Sequence, residues 1–153
     1  MELRGSCHCE KITFTVVSRT PVPVSICSTY LRCYCSVCRK CLSGGGYAID
    51  ILAEILTSFF LINSNYLRYF CGECGCHLYG YDSRHPDNVY PMASAIDTSL
   101  PVPLDKDVYR LWLRKDSICN WVHVPEIDGT QNFAENSNVT MTQWHKDHNE
   151  YID

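Results

Sequence analysis

The sequence has no excess of positive charge and few charged residues of either sign. Charged residues make up 20% of the 153 residues, and 13 Lys and Arg against 17 Asp and Glu leave a net charge of −4. A protein that binds nucleic acid or an anionic membrane through bulk electrostatics needs a basic surface. We therefore expect neither a nucleic-acid partner nor a membrane partner.

Long hydrophobic segments are lacking as well. The most apolar stretch, residues 49–62, is too short to span a bilayer and contains Asp50 and Glu54. The opening residues, "MELRGSCHCEK", lack the apolar core of a secretory signal. We expect a cytoplasmic protein, a setting in which glutathione and thioredoxin keep cysteine thiols reduced.

Length and hydrophobic pattern predict one domain, residues 1–153, built mostly of strands. Short segments rich in Val, Ile and aromatic residues, separated by Pro, Gly, Asn and Asp, are typical of strands. These segments are residues 11–18, 21–27, 47–52, 66–70, 77–81, 89–96, 108–113 and 120–124. Residues 140–148 predict a short helix with Thr140 as its cap, and residues 51–62 fit either a helix or a buried strand. The predicted fold is mainly β with a short C-terminal helix.

Cysteine is abundant, with eleven residues in the chain. The number is odd, and one-residue separations such as that of Cys7 and Cys9 are a poor geometry for a disulfide. Reduced thiols at this density favour metal ligation. Most of them fall into three clusters: Cys7 and Cys9; Cys33, Cys35 and Cys38; and Cys71 and Cys74.

The clusters predict two unequal zinc sites. Two cysteines from each of two distant turns make a closed four-sulfur site, so Cys7 and Cys9 pair with Cys71 and Cys74. The remaining triple, Cys33, Cys35 and Cys38, provides three ligands and leaves a fourth position open, which is the pattern of catalytic zinc. The alternative is that a protein side chain fills this position and the second site is inert. The candidates for that role are Cys41, Cys76, His8 and His77.

Several segments together resemble the glutathione-dependent formaldehyde-activating enzyme family, which includes centromere-protein-V-like proteins. They are "GSCHCEKITFTV", "CYCSVCRK", "GGGYAI", "FCGECGCHLYGYD", "ASAIDTSLPVP" and the final "TQWHKDH". The resemblance implies a zinc-binding β-tent fold with two zinc ions per chain. It implies a structural zinc on Cys7, Cys9, Cys71 and Cys74, and a reactive zinc on Cys33, Cys35 and Cys38.

A three-thiolate zinc site is soft and suits a substrate thiol such as glutathione as its fourth ligand. Together with the resemblance, this implies a carbon–sulfur lyase acting on a thiol adduct of formaldehyde or of a larger electrophile. Arg39 and Lys40 are candidates to bind substrate carboxylates. His77 ranks first among the candidate proton carriers, ahead of the others, Asp82, His85 and His145. The alternative function is a non-catalytic zinc-binding module that binds a protein partner.

Overall fold

The computed structural model confirms a mainly β fold with one short helix in its described part. It describes residues 1–20, 30–33, 48–49, 51–54, 66–100, 108–113, 124 and 131–153. The predicted strand 21–27, most of 120–124 and residues 55–62 lie outside these residues. Among the residues described, no helix is both long enough and apolar enough to cross a membrane.

The larger sheet has six strands in the order β1-β2-β5-β8-β7-β6, and its paired neighbours are antiparallel. Its strands are β1 (Glu2–Ser6), β2 (Thr13–Val17), β5 (Ala53–Glu54), β6 (Tyr66–Phe70), β7 (His77–Asp82) and β8 (Asn88–Pro91). Burial alternates along β7, as expected for a strand with one face on the core. The outer strands of this sheet lead directly into the two cysteine turns described below.

The smaller sheet has four strands in the order β10-β9-β3-β4. Its strands are β3 (Tyr30–Cys33), β4 (Ala48–Ile49), β9 (Val108–Leu111) and β10 (Gln131–Asn132). β9 runs parallel to both β3 and β10, so its backbone is paired on both sides. This places the N-terminal end of the 33–38 segment, Cys33, directly opposite Leu111.

The strand predicted at residues 89–96 is shorter in the structure. β8 ends at Pro91, and Ala93–Ala95 form one turn of 3-10 helix. After this turn Ile96 makes an isolated antiparallel bridge with Gly5 of β1. The turn is close-packed against β1, because a Cβ atom at Gly5 would collide with the carbonyl oxygen of Ala95. Pairing with a strand distant in sequence thus overrides the local strand propensity.

Two clusters of buried side chains form the core of the described part. One contains Leu3, Val16, Ile51, Ala53 and Val89. The second contains Cys7, Cys71, Leu78, Met92 and Ala95. Two cysteines therefore belong to the core itself, which ties the predicted metal ligands to the packing of the fold.

The C-terminal helix, α1, spans Met141–Asp147 as an amphipathic element. The Thr140 hydroxyl accepts a hydrogen bond from the Gln143 amide at 3.2 Å, which confirms the predicted cap. Trp144 is 7% exposed and His145 is fully buried. These two residues place the inner face of α1 in the protein interior.

A four-cysteine candidate metal centre

The first half of the centre is the turn between β1 and β2. The Glu10 amide donates to the Cys7 carbonyl at 2.9 Å, and the Cys7 amide donates to the Ile12 carbonyl at 3.0 Å. The Ile12 amide in turn donates to the Cys7 sulfur at 3.3 Å. Glu10 adopts a left-handed backbone conformation with φ of 59°. This tight turn directs the sulfurs of Cys7 and Cys9 to within 3.5 Å of each other.

The second half is the turn "CGECGC" between β6 and β7. The Gly75 amide donates to the Cys71 carbonyl and the Cys71 amide donates to the Cys76 carbonyl, each at 2.8 Å. Gly75 has φ of 71°, a conformation that side-chain-bearing residues rarely adopt. The turn therefore depends on glycine at this position to present Cys71 and Cys74 on one side.

The structure brings the two turns together. The sulfurs of Cys7, Cys9, Cys71 and Cys74 all lie within 4.8 Å of one another, and those of Cys9 and Cys71 are 3.8 Å apart. A tetrahedral zinc with bonds of about 2.3 Å would hold its sulfurs about 3.8 Å apart. A disulfide would bring two of them to about 2.05 Å, and these cysteines are free. The donor set and spacing therefore fit a closed zinc site.

Burial within the centre is graded. Cys7 and Cys71 are buried, Cys74 is half-buried and Cys9 is exposed. Lys11 and Glu73 form an ion pair of 2.9 Å between the two turns, but both side chains are more than 60% exposed. Such a surface pair contributes little, so the thiols themselves and their metal would hold the turns together.

Three thiols of the centre have pKa values that are shifted in different directions. A hydrogen bond from the Cys76 backbone amide, with a second from Cys9, lowers the pKa of Cys74 to about 6. Burial raises the pKa of Cys7, yet the Ile12 amide and the neighbouring thiols outweigh burial and lower this pKa overall. The Lys11 amide lowers the pKa of Cys9, but the Cys7 thiol and burial outweigh this effect and raise the pKa to about 12. The amides thus favour thiolate at part of the centre, and a divalent cation would allow all four thiolates to coexist.

The predicted second site lies mostly outside the described residues. Cys33 ends β3 and is described through its backbone register only. Four further predicted residues have no described position: Cys35, Cys38, Arg39 and Lys40. Their roles as ligands and substrate-binding residues stay predictions.

His77 begins β7 and is partly buried. Its Nε2 atom is buried and finds no hydrogen-bond partner in the part of the chain that the structure describes. Burial, followed by the positive charge of Arg68, lowers the pKa of His77. The imidazole is therefore neutral at neutral pH, with one nitrogen not engaged by the described residues.

The other predicted proton carriers have different surroundings. Asp82 accepts hydrogen bonds from Arg84, whose guanidinium lowers the pKa of this carboxyl. His85 is exposed. His145 is buried in α1, and burial, with a smaller effect of His148, lowers its pKa to about 4. Asp82 is held as an ion pair and His145 as a neutral core residue, which leaves His77 as the first-ranked candidate.

Cys76 lies outside the four-sulfur group although it shares the same turn. It is half-buried, and its thiol donates to the His77 carbonyl at 3.7 Å. Its side chain packs with the second core cluster. In the described structure Cys76 thus behaves as a small core residue.

Arg110 is a residue that reasoning from the sequence missed. It lies in the middle of β9 and is only 2% exposed, yet its Nε and Nη1 atoms have no hydrogen-bond partner among the described residues. The available signal was the sequence "VYRLWL", in which one charged residue interrupts an apolar strand. A buried, unpaired cation marks a place where an anion could bind.

Two comparisons with known proteins found matches that cover most of the chain. Residues 2–114 match the family described as "Glutathione-dependent formaldehyde-activating enzyme". A protein of Halomonas elongata, named "Putative glutathione-dependent formaldehyde-activating enzyme", is 36% identical to this chain over 159 aligned positions, and the alignment covers 95% of each protein.

Proposed function

Because this chain belongs to the glutathione-dependent formaldehyde-activating enzyme family, we propose that it is a zinc-dependent carbon–sulfur lyase. Its substrate is a thiol adduct, with glutathione as the thiol and formaldehyde or a larger electrophile as the carbonyl compound. The observation that carries the proposal is the family match, which includes both cysteine-rich segments of the four-sulfur centre. A cytoplasmic setting with reduced thiols is part of this proposal.

The two groups of cysteines have different roles in the proposal. Cys7, Cys9, Cys71 and Cys74 hold a structural zinc, supported by the convergence of their sulfurs. Cys33, Cys35 and Cys38 hold a second, catalytic zinc. When bound by three thiolates, zinc supplies a soft position that favours the thiolate form of a substrate thiol. The closed centre serves folding, and the open one serves chemistry.

The remaining roles concern charge and proton transfer. Arg39 and Lys40 bind carboxylates of glutathione. In the adding direction a carbon–sulfur bond forms between the thiol and the carbonyl carbon, and the thiol proton ends on the carbonyl oxygen. Cleavage reverses both changes, so no oxidant or reductant is needed. His77, neutral and with Nε2 not engaged by the described residues, accepts or returns this proton.

The test measures how fast glutathione and formaldehyde exchange with their adduct. Two-dimensional exchange NMR in the presence of zinc-replete protein gives this rate. The wild type should hold close to two zinc ions and accelerate exchange over the uncatalysed rate. Cys35→Ser should stay folded, keep one zinc and lose the acceleration. A wild type that binds zinc but accelerates exchange with neither formaldehyde nor other carbonyl compounds would favour the non-catalytic protein-binding module.

A further inference from the structure

The four-sulfur centre is open to solvent on one side. Cys7 and Cys71 are buried and Cys74 is half-buried, whereas Cys9 is exposed. On the second turn, a Cβ atom added at Gly72 would meet no atom within 4 Å, so no described residue packs over the turn there. A zinc ion held by the four sulfurs would lie between them and leave the outer side of Cys9 uncovered. Cys9 is therefore the ligand that a small reagent in solution reaches first.

The exposed ligand is also a nucleophile. Cysteine binds zinc as the thiolate, so in the metal-bound centre ligation, and not the pKa of the free thiol, fixes the ionisation of Cys9. The thiolate is the form of cysteine that reacts with oxidants. Oxidation follows thiolate character and exposure, and only exposure differs among the four ligands. Exposure therefore selects Cys9 as the site at which a hydroperoxide attacks.

Two neighbouring sulfurs are close enough to form a disulfide with an oxidised Cys9. That of Cys7 is 3.5 Å away and that of Cys71 is 3.8 Å away. Cys7 is separated from Cys9 by one residue, which is a poor geometry for an unstrained disulfide. Cys71 belongs to the other turn, and its sulfur needs to approach by only about 2 Å to reach bonding distance. The geometry therefore favours a disulfide between the two turns.

A disulfide between Cys9 and Cys71 would take over the structural role of the zinc. The ion pair of Lys11 and Glu73 joins the same two turns, but it is exposed and contributes little. The disulfide would close a loop whose ends lie 62 positions apart, and cross-links over long loops constrain the unfolded chain most. A disulfide between Cys7 and Cys9 would lie within one turn and leave the two turns unconnected.

We propose that Cys9 is an oxidation site and that the centre has two states, one zinc-bound and one with a disulfide between Cys9 and Cys71. The Cys9 sulfur attacks the terminal oxygen of a hydroperoxide. An S–O bond forms, the O–O bond breaks, and the second oxygen takes up a proton and leaves as water or an alcohol. The Cys71 sulfur then displaces the hydroxyl group from Cys9, and this group takes up a proton and leaves as water.

In the net reaction the two sulfurs give up an electron pair and the hydroperoxide accepts it. The centre thereby loses two of its four ligands and no longer retains zinc. The proposal rests on the structural zinc of the proposed function and does not require the lyase activity.

The experiment is stepwise oxidation of zinc-replete protein by hydrogen peroxide, with disulfides located by mass spectrometry of proteolytic peptides. Zinc content is measured before and after oxidation. Thermal unfolding is then followed in a chelator, with and without dithiothreitol. The proteins are the wild type, Cys9→His and Cys74→His. Both variants keep four zinc ligands, because three cysteines and one histidine also form structural zinc sites, but only Cys9→His lacks the sulfur that is oxidised.

In the wild type, the first disulfide of the centre should join Cys9 to Cys71, and zinc should be lost as it forms. The oxidised protein should unfold cooperatively in chelator, and dithiothreitol should abolish this transition because it opens the disulfide. Dithiothreitol together with fresh zinc should restore the transition. Oxidised Cys9→His should show no cooperative transition in chelator, whereas oxidised Cys74→His should behave as the wild type does.

The assignment is overturned if Cys9 stays reduced while other sulfurs of the centre are oxidised, or if the first disulfide of the centre joins any other pair. It is also overturned if the oxidised wild type loses its transition in chelator alone, or keeps it after dithiothreitol. The disulfide map of the wild type decides even if neither variant folds. Zinc content that is equal in unoxidised wild type and Cys71→Ser is a separate outcome, because it refutes the structural zinc itself and the two-state centre with it.

Discussion

Cys71→Ser should remove the proposed structural zinc, whereas Cys76→Ser should leave it in place. The two cysteines begin and end the same six-residue turn, and their backbones are joined by a hydrogen bond of 2.8 Å. The sulfur of Cys71 belongs to the four-sulfur group, and that of Cys76 does not. The pair of variants therefore separates metal ligation from any general effect of replacing a cysteine in this turn.

The size of the effect follows from the coupling of metal binding to folding. A structural zinc contributes an apparent free energy of about 10–16 kcal/mol to folding. Domains of this size unfold with about 5–15 kcal/mol in total. Loss of the ion thus removes a free energy as large as this total, so Cys71→Ser should be largely unfolded and show no cooperative unfolding transition. Cys76→Ser, at a half-buried position, should cost no more than about 1 kcal/mol.

The measurements are zinc content by elemental analysis and unfolding by calorimetry. Wild type and Cys76→Ser should hold equal amounts of zinc, and Cys71→Ser one ion fewer. Equal zinc content and equal unfolding temperatures in all three proteins would refute the four-sulfur site. So would a loss of metal in Cys76→Ser as large as that in Cys71→Ser.

Two further predictions concern the turn and the helix. Gly75→Ala should destabilise the protein by about 1–2 kcal/mol in urea unfolding because of the φ of 71° at Gly75. The control is Gly72→Ala, where an added Cβ meets no atom within 4 Å. This control should cost less than half as much. The pKa of His145 is about 4 in the folded protein and about 6.5 in the unfolded chain. Between these pH values the unfolded chain binds more protons than the folded protein. The free energy of unfolding therefore falls as the pH decreases through this range. Urea unfolding at about pH 7 and at about pH 4.5 checks this: His145→Leu should reduce the loss of unfolding free energy between the two by about 2 kcal/mol.

Local spacing carried much of the prediction for the described part of the chain. The separations Cys7–Cys9 and Cys71–Cys74 are short enough that a turn alone directs both sulfurs to one point, and the structure places all four within 4.8 Å. The helix could be predicted for a similar reason, because the Thr140 cap is a contact between residues three apart.

Features set by distant pairing could not be predicted in this way. β1 is a strand because Leu3 pairs with Val16, and "ELRGS" alone has little strand propensity. The burial of Arg110 could not be predicted from local spacing either. Its register partner on β3, Arg32, lies 78 positions earlier in the chain. Sequence shows a charge in an apolar strand, but only the fold shows that the charge is enclosed.

The four-sulfur centre also has a consequence for how the chain is made. Cys9 and Cys71 are 62 positions apart. At about 5–20 residues per second, the ribosome therefore adds Cys71 about 3–12 s after Cys9. During this interval five other cysteines emerge: Cys27, Cys33, Cys35, Cys38 and Cys41. A metal ion captured early by the first two thiols can therefore recruit the wrong sulfurs. Newly made protein sorts its cysteines correctly only if such early metal complexes exchange faster than the rest of the chain folds around them.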